Sequence, residues 1–321
     1  MYESIKNFNK QFKYEPIIEN ASKLVRKNRV VVAGMGGSEL AAMLMKDNYP
    51  ETDFILNRNY GLPRLGNDKL KDSLIIASSY SGNTEETIDA FNTAITKGLA
   101  LAVITTGGKL LELAQQNNVS YIQIPNTGIQ PRMAIGYSTL ALLKIAGKDD
   151  ILNEISKLSS TLNPFDYENS GRELAKKLHN KIPVVYASKL NSALAYIWKI
   201  KLNETGKIPA FYNIFPELNH NEMTGFSAQE STKHLSNNFA CVLLKDSDDD
   251  PRISRRMEML ARLYQERRIE THEVVLGDAN RLFKIFSTTI IADWTSFYIA
   301  ESYGVDPEQI PMVEEFKKMI G

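Results

Sequence analysis

Leu74-Ile75-Ile76-Ala77-Ser78-Ser79-Tyr80-Ser81-Gly82-Asn83-Thr84-Glu85-Glu86 changes character twice along its length. It opens as an apolar run, passes through a hydroxyl-rich turn and leaves as a helical pattern from near Thr84. The succession reads as strand, turn and helix N-terminus. Asn83 with Glu86 three residues on is a variant of the capping box, which predicts the helix start there. A helix N-terminus presents free backbone N–H groups and the positive end of a dipole, and both attract an anion. Ser79, Ser81 and Thr84 add hydroxyl donors, and Gly82 lets the backbone turn closely around a ligand. Neither Lys nor Arg occurs in the stretch. It therefore suits a small phosphate ester better than a nucleoside triphosphate with its metal.

Outward from this loop the pattern repeats. Arg29-Val30-Val31-Val32-Ala33, Asp53-Phe54-Ile55-Leu56, Leu99–Ile104 and Ser120–Ile124 are further apolar runs, separated by helical stretches. Strands alternating with helices predict a doubly wound parallel sheet, in which ligands bind outside the carboxyl ends of the strands. Residues 1–28 read as mostly polar helical segments wrapping this first domain. A helix is expected from about Met133 to Ala146. The polar break over 148–170 carries the domain boundary, which gives domains 1–150 and 151–321.

The theme recurs in the second half. Ile182–Ala187, Pro209–Asn213, the run around Cys241 and His272–Leu276 read as strands. Helices are expected over about 191–202, 252–268, 281–303 and 307–320. The fold class is α/β, with two doubly wound, flavodoxin-like parallel sheets. Asp246-Ser247-Asp248-Asp249-Asp250 reads as a solvated acidic loop rather than a metal site.

Composition narrows the function. The 321 residues hold 38 basic and 38 acidic side chains, so no net field favours nucleic acid or a membrane surface. Hydrophobic content of 43% and charged content of 24% describe an ordinary globular chain. The single Cys241 sits in an apolar run as a core thiol, and one cysteine makes neither a disulfide nor a cysteine metal site within the chain. No leader or membrane span is read, so a cytoplasmic location is expected.

Gly34-Met35-Gly36-Gly37-Ser38-Glu39 follows the first strand. The dinucleotide fingerprint needs a small residue where Glu39 stands, and a Walker loop needs Gly-Lys-Ser/Thr. What remains is a glycine-rich turn ending in Ser38, able to approach a ligand held mainly by the serine loop.

Four segments occur in a telling order: Gly34–Ser38; Ser79–Glu86; Gln130-Pro131-Arg132 with Gly136-Tyr137-Ser138; and Pro216-Glu217-Leu218-Asn219-His220-Asn221-Glu222. Together they resemble the sugar isomerase (SIS) superfamily, and more narrowly the short bifunctional phosphoglucose/phosphomannose isomerases. The resemblance runs from about residue 20 to the C-terminus. The serine loop is common to all sugar isomerase domains, whereas the Gln-Pro-Arg and Glu-Leu-Asn-His-Asn-Glu segments are specific to this branch.

The resemblance implies interconversion of glucose 6-phosphate and mannose 6-phosphate with fructose 6-phosphate, without cofactor or metal. Such chemistry moves a proton between C2 and C1 through a cis-enediol, and needs a base, help with ring opening and positive charge beside the enediolate. Glu204 matches the family's catalytic glutamate, and a partly closed pocket would raise its pKa toward a useful range. His220 matches the ring-opening histidine, which in similar proteins reaches into the partner subunit and so implies a homodimer. Arg132, after Pro131, would stabilise the enediolate. Lys317, preferred over Lys318, matches the terminal lysine that assists ring opening. The phosphate would lie against Gly36, Gly37, Ser38, Ser79, Ser81 and Thr84. By residue type alone each of these has a plainer reading: a helix-terminal carboxylate, a loop histidine, a surface arginine, solvated lysines, capping hydroxyls. His179, His234 and His272 read as fillers of helix, loop and strand, with His234 marked by the preceding Ser231-Thr232-Lys233.

Two other functions compete. A non-catalytic sugar-phosphate regulator on the same domain would append a basic DNA-binding helix pair, for which the ends are neutral and short. An aminosugar-phosphate isomerase would need an ammonia-supplying domain.

Overall fold

Apolar runs without polar alternation are covered on both faces once they become parallel strands. The computed structural model describes residues 1–320. The chain opens with α1 (Tyr2–Lys6) and then runs β1 (Arg29–Ala33), α2 (Leu40–Asn48), β2 (Asp53–Asn57), α3 (Asn67–Lys71), β3 (Ser73–Ser79), α4 (Glu85–Thr96), β4 (Ala100–Thr105), α5 (Gly108–Gln116), β5 (Ser120–Gln123) and α6 (Ile135–Ala146). The strands form one parallel sheet in the order β2-β1-β3-β4-β5. Val31 lies level with Ile55 on one side and Ile75 on the other, and every residue of β3 is buried.

Helix α4 buries Thr87, Ala90, Phe91 and Ala94, a stripe at helical spacing. Phe91 and Ala94 pack with Val31, Ile75, Ala77 and Val103. The helix ends at Gly98, whose φ of +61° is the left-handed conformation that stops a helix. Helices α7 (Asp149–Ser156) and α8 (Leu158–Thr161) complete this unit, which spans Asn7–Asn163. The division therefore falls after Asn163, with α7 and α8 on the first side.

The second unit comprises Pro164 onward together with Met1–Lys6. The start of the chain thus departs from the expected wrapping of the first domain: Ile5 is fully buried, and the Tyr2 ring stands edge-on to Trp294 at 5.1 Å. Its elements are α9 (Glu168–Lys177), β6 (Ile182–Ala187), α10 (Ser192–Glu204), β7 (Phe211–Ile214), α11 (Glu222–Gly225), α12 (Lys233–Ser236), β8 (Phe239–Lys245), α13 (Pro251–Glu266), β9 (Glu270–Val275), α14 (Arg281–Ser302) and α15 (Pro311–Ile320). Its sheet is parallel in the order β7-β6-β8-β9. Helix α14 is buried nearly all round, as a core helix must be, and packs closely on α9. A Cβ on Gly171 of α9 would stand 2.3 Å from the Trp294 Cβ, so that crossing admits no side chain. Cys241 is buried in β8, and burial pushes its thiol pKa well up.

Candidate active site

In the first sheet the order reverses between β1 and β3, and a ligand crevice is expected outside their carboxyl ends. The loops leaving those two strands are Gly34–Ser38 and Ser79–Thr84, and they are joined to each other. The Ser38 hydroxyl accepts the Tyr80 N–H at 2.9 Å, and the Ser78 hydroxyl donates to the Ser38 carbonyl at 2.9 Å. Gly34 permits the approach, since a Cβ there would stand 2.9 Å from the Ser78 carbonyl oxygen.

Within the serine loop the hydroxyls divide their work. Ser79 is fully buried; its Oγ lies 2.8 Å from Thr84 Oγ1 and accepts the Gly82 N–H at 3.1 Å. Its hydroxyl braces the loop from within. Ser81 is exposed, and its oxygen accepts the Asn83 N–H at 3.3 Å. Accepting that bond leaves the Ser81 O–H able to donate. The expected capping box does not form. Thr84 occupies the cap position of α4 without a side-chain cap bond, and the Asn83 amide oxygen instead accepts the Lys109 N–H at 3.1 Å. Asn83 ties two loops together, and the amides of the first turn of α4 are not satisfied by their cap residue.

Arg132 lies in a 3₁₀ turn, Pro131–Met133, and is 1% exposed. This removes the surface-arginine reading. A Cβ on Gly37 would stand 2.7 Å from the Pro131 carbonyl carbon and 2.8 Å from the Arg132 nitrogen, so the glycine loop lies against the arginine turn. The first unit thereby gathers Gly36, Gly37, Ser38, Ser79, Ser81, Thr84 and Arg132 at one end of its sheet. Glu39, which the sequence reading used only to reject a dinucleotide fingerprint, is buried and accepts from Arg58 Nε at 2.5 Å.

The other three candidates belong to the second unit. Glu204 is the last residue of α10 and is half-buried. The Lys207 ammonium donates to the carbonyls of Glu204 and Gln309, which ties the end of α10 to the approach to α15. His220 ends the 3₁₀ turn Glu217–His220 and is exposed. Lys317 lies on α15, exposed and 2.8 Å from Glu314 of the same helix. Met312, Phe316 and Met319 of α15 are 81%, 59% and 78% exposed. His179 stacks on Tyr303 at 4.7 Å, and His272 is half-buried, with burial lowering its pKa.

Along its whole length the chain is similar to known proteins. A bifunctional phosphoglucose/phosphomannose isomerase of Caldicellulosiruptor bescii is 35% identical, over 100% of this chain and 98% of its own. The chain belongs to the bifunctional phosphoglucose/phosphomannose isomerase family. The family member of Aquifex aeolicus is 32% identical over 99% of this chain and 97% of its own. The profile of the bacterial phospho-glucose isomerase C-terminal SIS domain matches residues 167–320. The crystal structure of glucosamine-6-phosphate deaminase from Thermotoga maritima superposes with a TM-score of 0.69 at 16% identity, covering 97% of both chains, which shows the shared fold alone.

Two groups beside the candidate residues went unread in the sequence. Glu222 anchors the His220 loop: its carboxylate accepts from Tyr186 Oη at 2.5 Å and from Asn213 Nδ2 at 2.5 Å. Burial, with this bond, pushes the Tyr186 phenol far up. Glu222 stood in the quoted motif, but its partners lie on strands elsewhere in the chain. Lys201, one turn before Glu204, pairs with Asp293 of α14 at 2.5 Å, both side chains fully buried. Helix α10 also carries Lys199 and Glu204, and α14 also carries Arg281, Lys284 and Glu301, so nothing in the local sequence singled this pair out.

Proposed function

We propose that the chain is an aldose–ketose isomerase acting on glucose 6-phosphate and mannose 6-phosphate, with fructose 6-phosphate as the common ketose. The observation that carries this reading is the whole-length similarity to relatives bearing that name. The joined loops at the switch in the first sheet support the placement of the phosphate against Gly36, Gly37, Ser38, Ser79, Ser81 and Thr84, with the α4 amides beside it and the Ser79–Thr84 contact bracing the loop. Glu204 is the base between C2 and C1, Arg132 the charge beside the enediolate, and His220 and Lys317 the groups that open the ring. The exposure of His220 supports a homodimer in which it serves the partner's site. The two regulatory and aminosugar alternatives are not favoured. Among the described residues no helix is long and apolar enough to cross a membrane. We place the enzyme in the cytoplasm, in hexose-phosphate metabolism such as glycolysis.

The test is production of fructose 6-phosphate from each aldose by one preparation. Glucose and mannose 6-phosphates differ only at C2, the carbon that becomes planar in the enediol. Both should be substrates, with kcat/KM values within about 100-fold, or about 2.7 kcal/mol of barrier. No turnover of either sugar overturns the reading, and a far larger ratio makes the enzyme strict for one epimer.

Ser81→Ala removes one outward donor from the phosphate, a loss of about 1.5–3 kcal/mol. KM for fructose 6-phosphate should rise about 10-fold or more with thermal stability unchanged. Unaltered KM would place the phosphate elsewhere.

A further inference from the structure

The second sheet has the same switch as the first: β6 and β8 are central neighbours, and β7 lies outside β6. Its two corresponding loops are Ser188–Asn191 and Asp246–Asp250. In the first unit these loops carry hydroxyls, glycines and no charged side chain. In the second, a side chain fills the crevice.

Asp246 follows β8 directly, and its side chain is fully buried, contrary to the solvated loop expected from the acidic run. One carboxylate oxygen accepts from Arg281 Nη1 at 2.5 Å and Asn191 Nδ2 at 3.0 Å. The other accepts from Lys284 Nζ at 2.8 Å and the Asp248 N–H at 3.1 Å. Donors from both loops and from the first turn of α14 thus converge on the Asp246 carboxylate, and two of them are cations; Lys284 Nζ also meets the exposed Asp248 carboxylate at 2.8 Å, and Asn191 Nδ2 also reaches Asp249 at 3.4 Å. Lys284 itself is 1% exposed. The N-terminus of α13, the other anion-attracting feature here, is capped by Asp250, which accepts the Arg252 N–H at 2.8 Å.

The electrostatics agree. Burial raises the Asp246 pKa, but the Lys284, Asp248, Asn191 and Arg281 donors outweigh it and hold the carboxyl below its usual range. With the folded pKa lowered, the network's stabilisation is complete above the ordinary carboxylate range and is lost as pH falls through the lowered value. A cavity of about 640 Å³, lined by Asp246, Asp249, Ser254, Arg255 and Glu258, opens onto the network from solvent.

We infer that Asp246 is a built-in anion occupying the switch-point crevice of the second sheet. It closes that crevice to phosphorylated ligands, and the donors around it form a latent oxyanion site. Each chain then takes a single phosphorylated ligand although it carries two sheets of the same kind. The inference rests on the second unit alone and does not depend on the isomerase activity.

Asp246→Ala in the full chain removes the carboxylate and leaves Arg281, Lys284 and Asn191 around the space. In calorimetric titration with inorganic phosphate, this variant should bind one more phosphate per chain than the unsubstituted protein. Adding Arg281→Met to it should weaken that extra binding about 10-fold or more. Equal stoichiometry in a folded Asp246→Ala chain, or two phosphates on the unsubstituted chain, overturns the inference. If Asp246→Ala does not fold in chloride, the readout is its circular dichroism after refolding in phosphate or formate. Recovery of the native signal supports a vacated anion site, and its absence overturns one.

Discussion

Turnover by the Glu204→Gln chain is expected to fall by about 10²–10⁴-fold, the usual contribution of a positioned proton-transfer group. The amide keeps the size of the side chain at the end of α10 and leaves the Lys207 bond to the Glu204 carbonyl in place, because that bond is made by the backbone. The loss should therefore appear in kcat, with binding of a sugar-acid phosphate inhibitor retained. The same variant tests the proposal that His220 serves the site of a partner chain. Mixed with inactive His220→Ala chains, it should recover activity, since one of the two sites in a hybrid dimer then holds both intact groups. Near-normal turnover by Glu204→Gln would remove the base from this position. Confirmed subunit exchange without recovered activity would return His220 to its own chain's site.

The second large effect is on stability. Asp293→Ala leaves the Lys201 ammonium in a fully buried position without its carboxylate at 2.5 Å. Removing one member of a buried pair typically costs about 3–5 kcal/mol, because the remaining charge stays desolvated after losing its opposite charge. For a unit of this size that corresponds to a fall in thermal midpoint of about 6–20 °C. Replacing both members, Lys201→Met with Asp293→Leu, should recover much of the loss, since an apolar pair incurs no charge desolvation. The pair also fixes α10 against α14 one turn before Glu204, so the double variant separates packing from catalysis: stability returns, and any residual drop in kcat reports the register of Glu204. A midpoint within a degree or two of the unsubstituted chain would show that the pair carries no such burden.

How much of this was legible in the sequence follows from the range of the interactions. Val30–Val32 and Leu74–Ala77 announce buried parallel strands because both their faces are covered, a property written in consecutive residues. Ser38 and the serine loop could be placed together because both follow strands of one winding. The capping box failed because Asn83 had a better partner in Lys109, across a loop whose path local spacing does not specify. Asp246 failed for a related reason. An acidic run reads as solvated unless its cations are known, and Arg281 and Lys284 arrive from a helix far along the chain. Glu222, Lys201 and Asp293 likewise acquire their meaning only from distant partners. For the site itself, motif order identified candidate residues, while residue type alone left each with a commonplace reading.

The two glycine loops differ in what a mutational library would find there. Gly36 has a φ of +53° with open space where a Cβ would stand, so within the fold its constraint is a dihedral one that Asn can meet, whereas Asp would set a carboxylate against the proposed phosphate. Gly82, at φ +72°, would place a Cβ 1.8 Å from the Gly107 carbonyl oxygen, and Gly108 would place one 2.4 Å from the Ser81 carbonyl oxygen. In both cases the obstacle is the main chain of the facing loop, so no second-site change of side chain makes room. Position 82 should therefore return a single codon family from selection, and position 36 more than one. Neighbouring loops of one crevice would drift at different speeds, one held by its own torsion and the other by the main chain facing it.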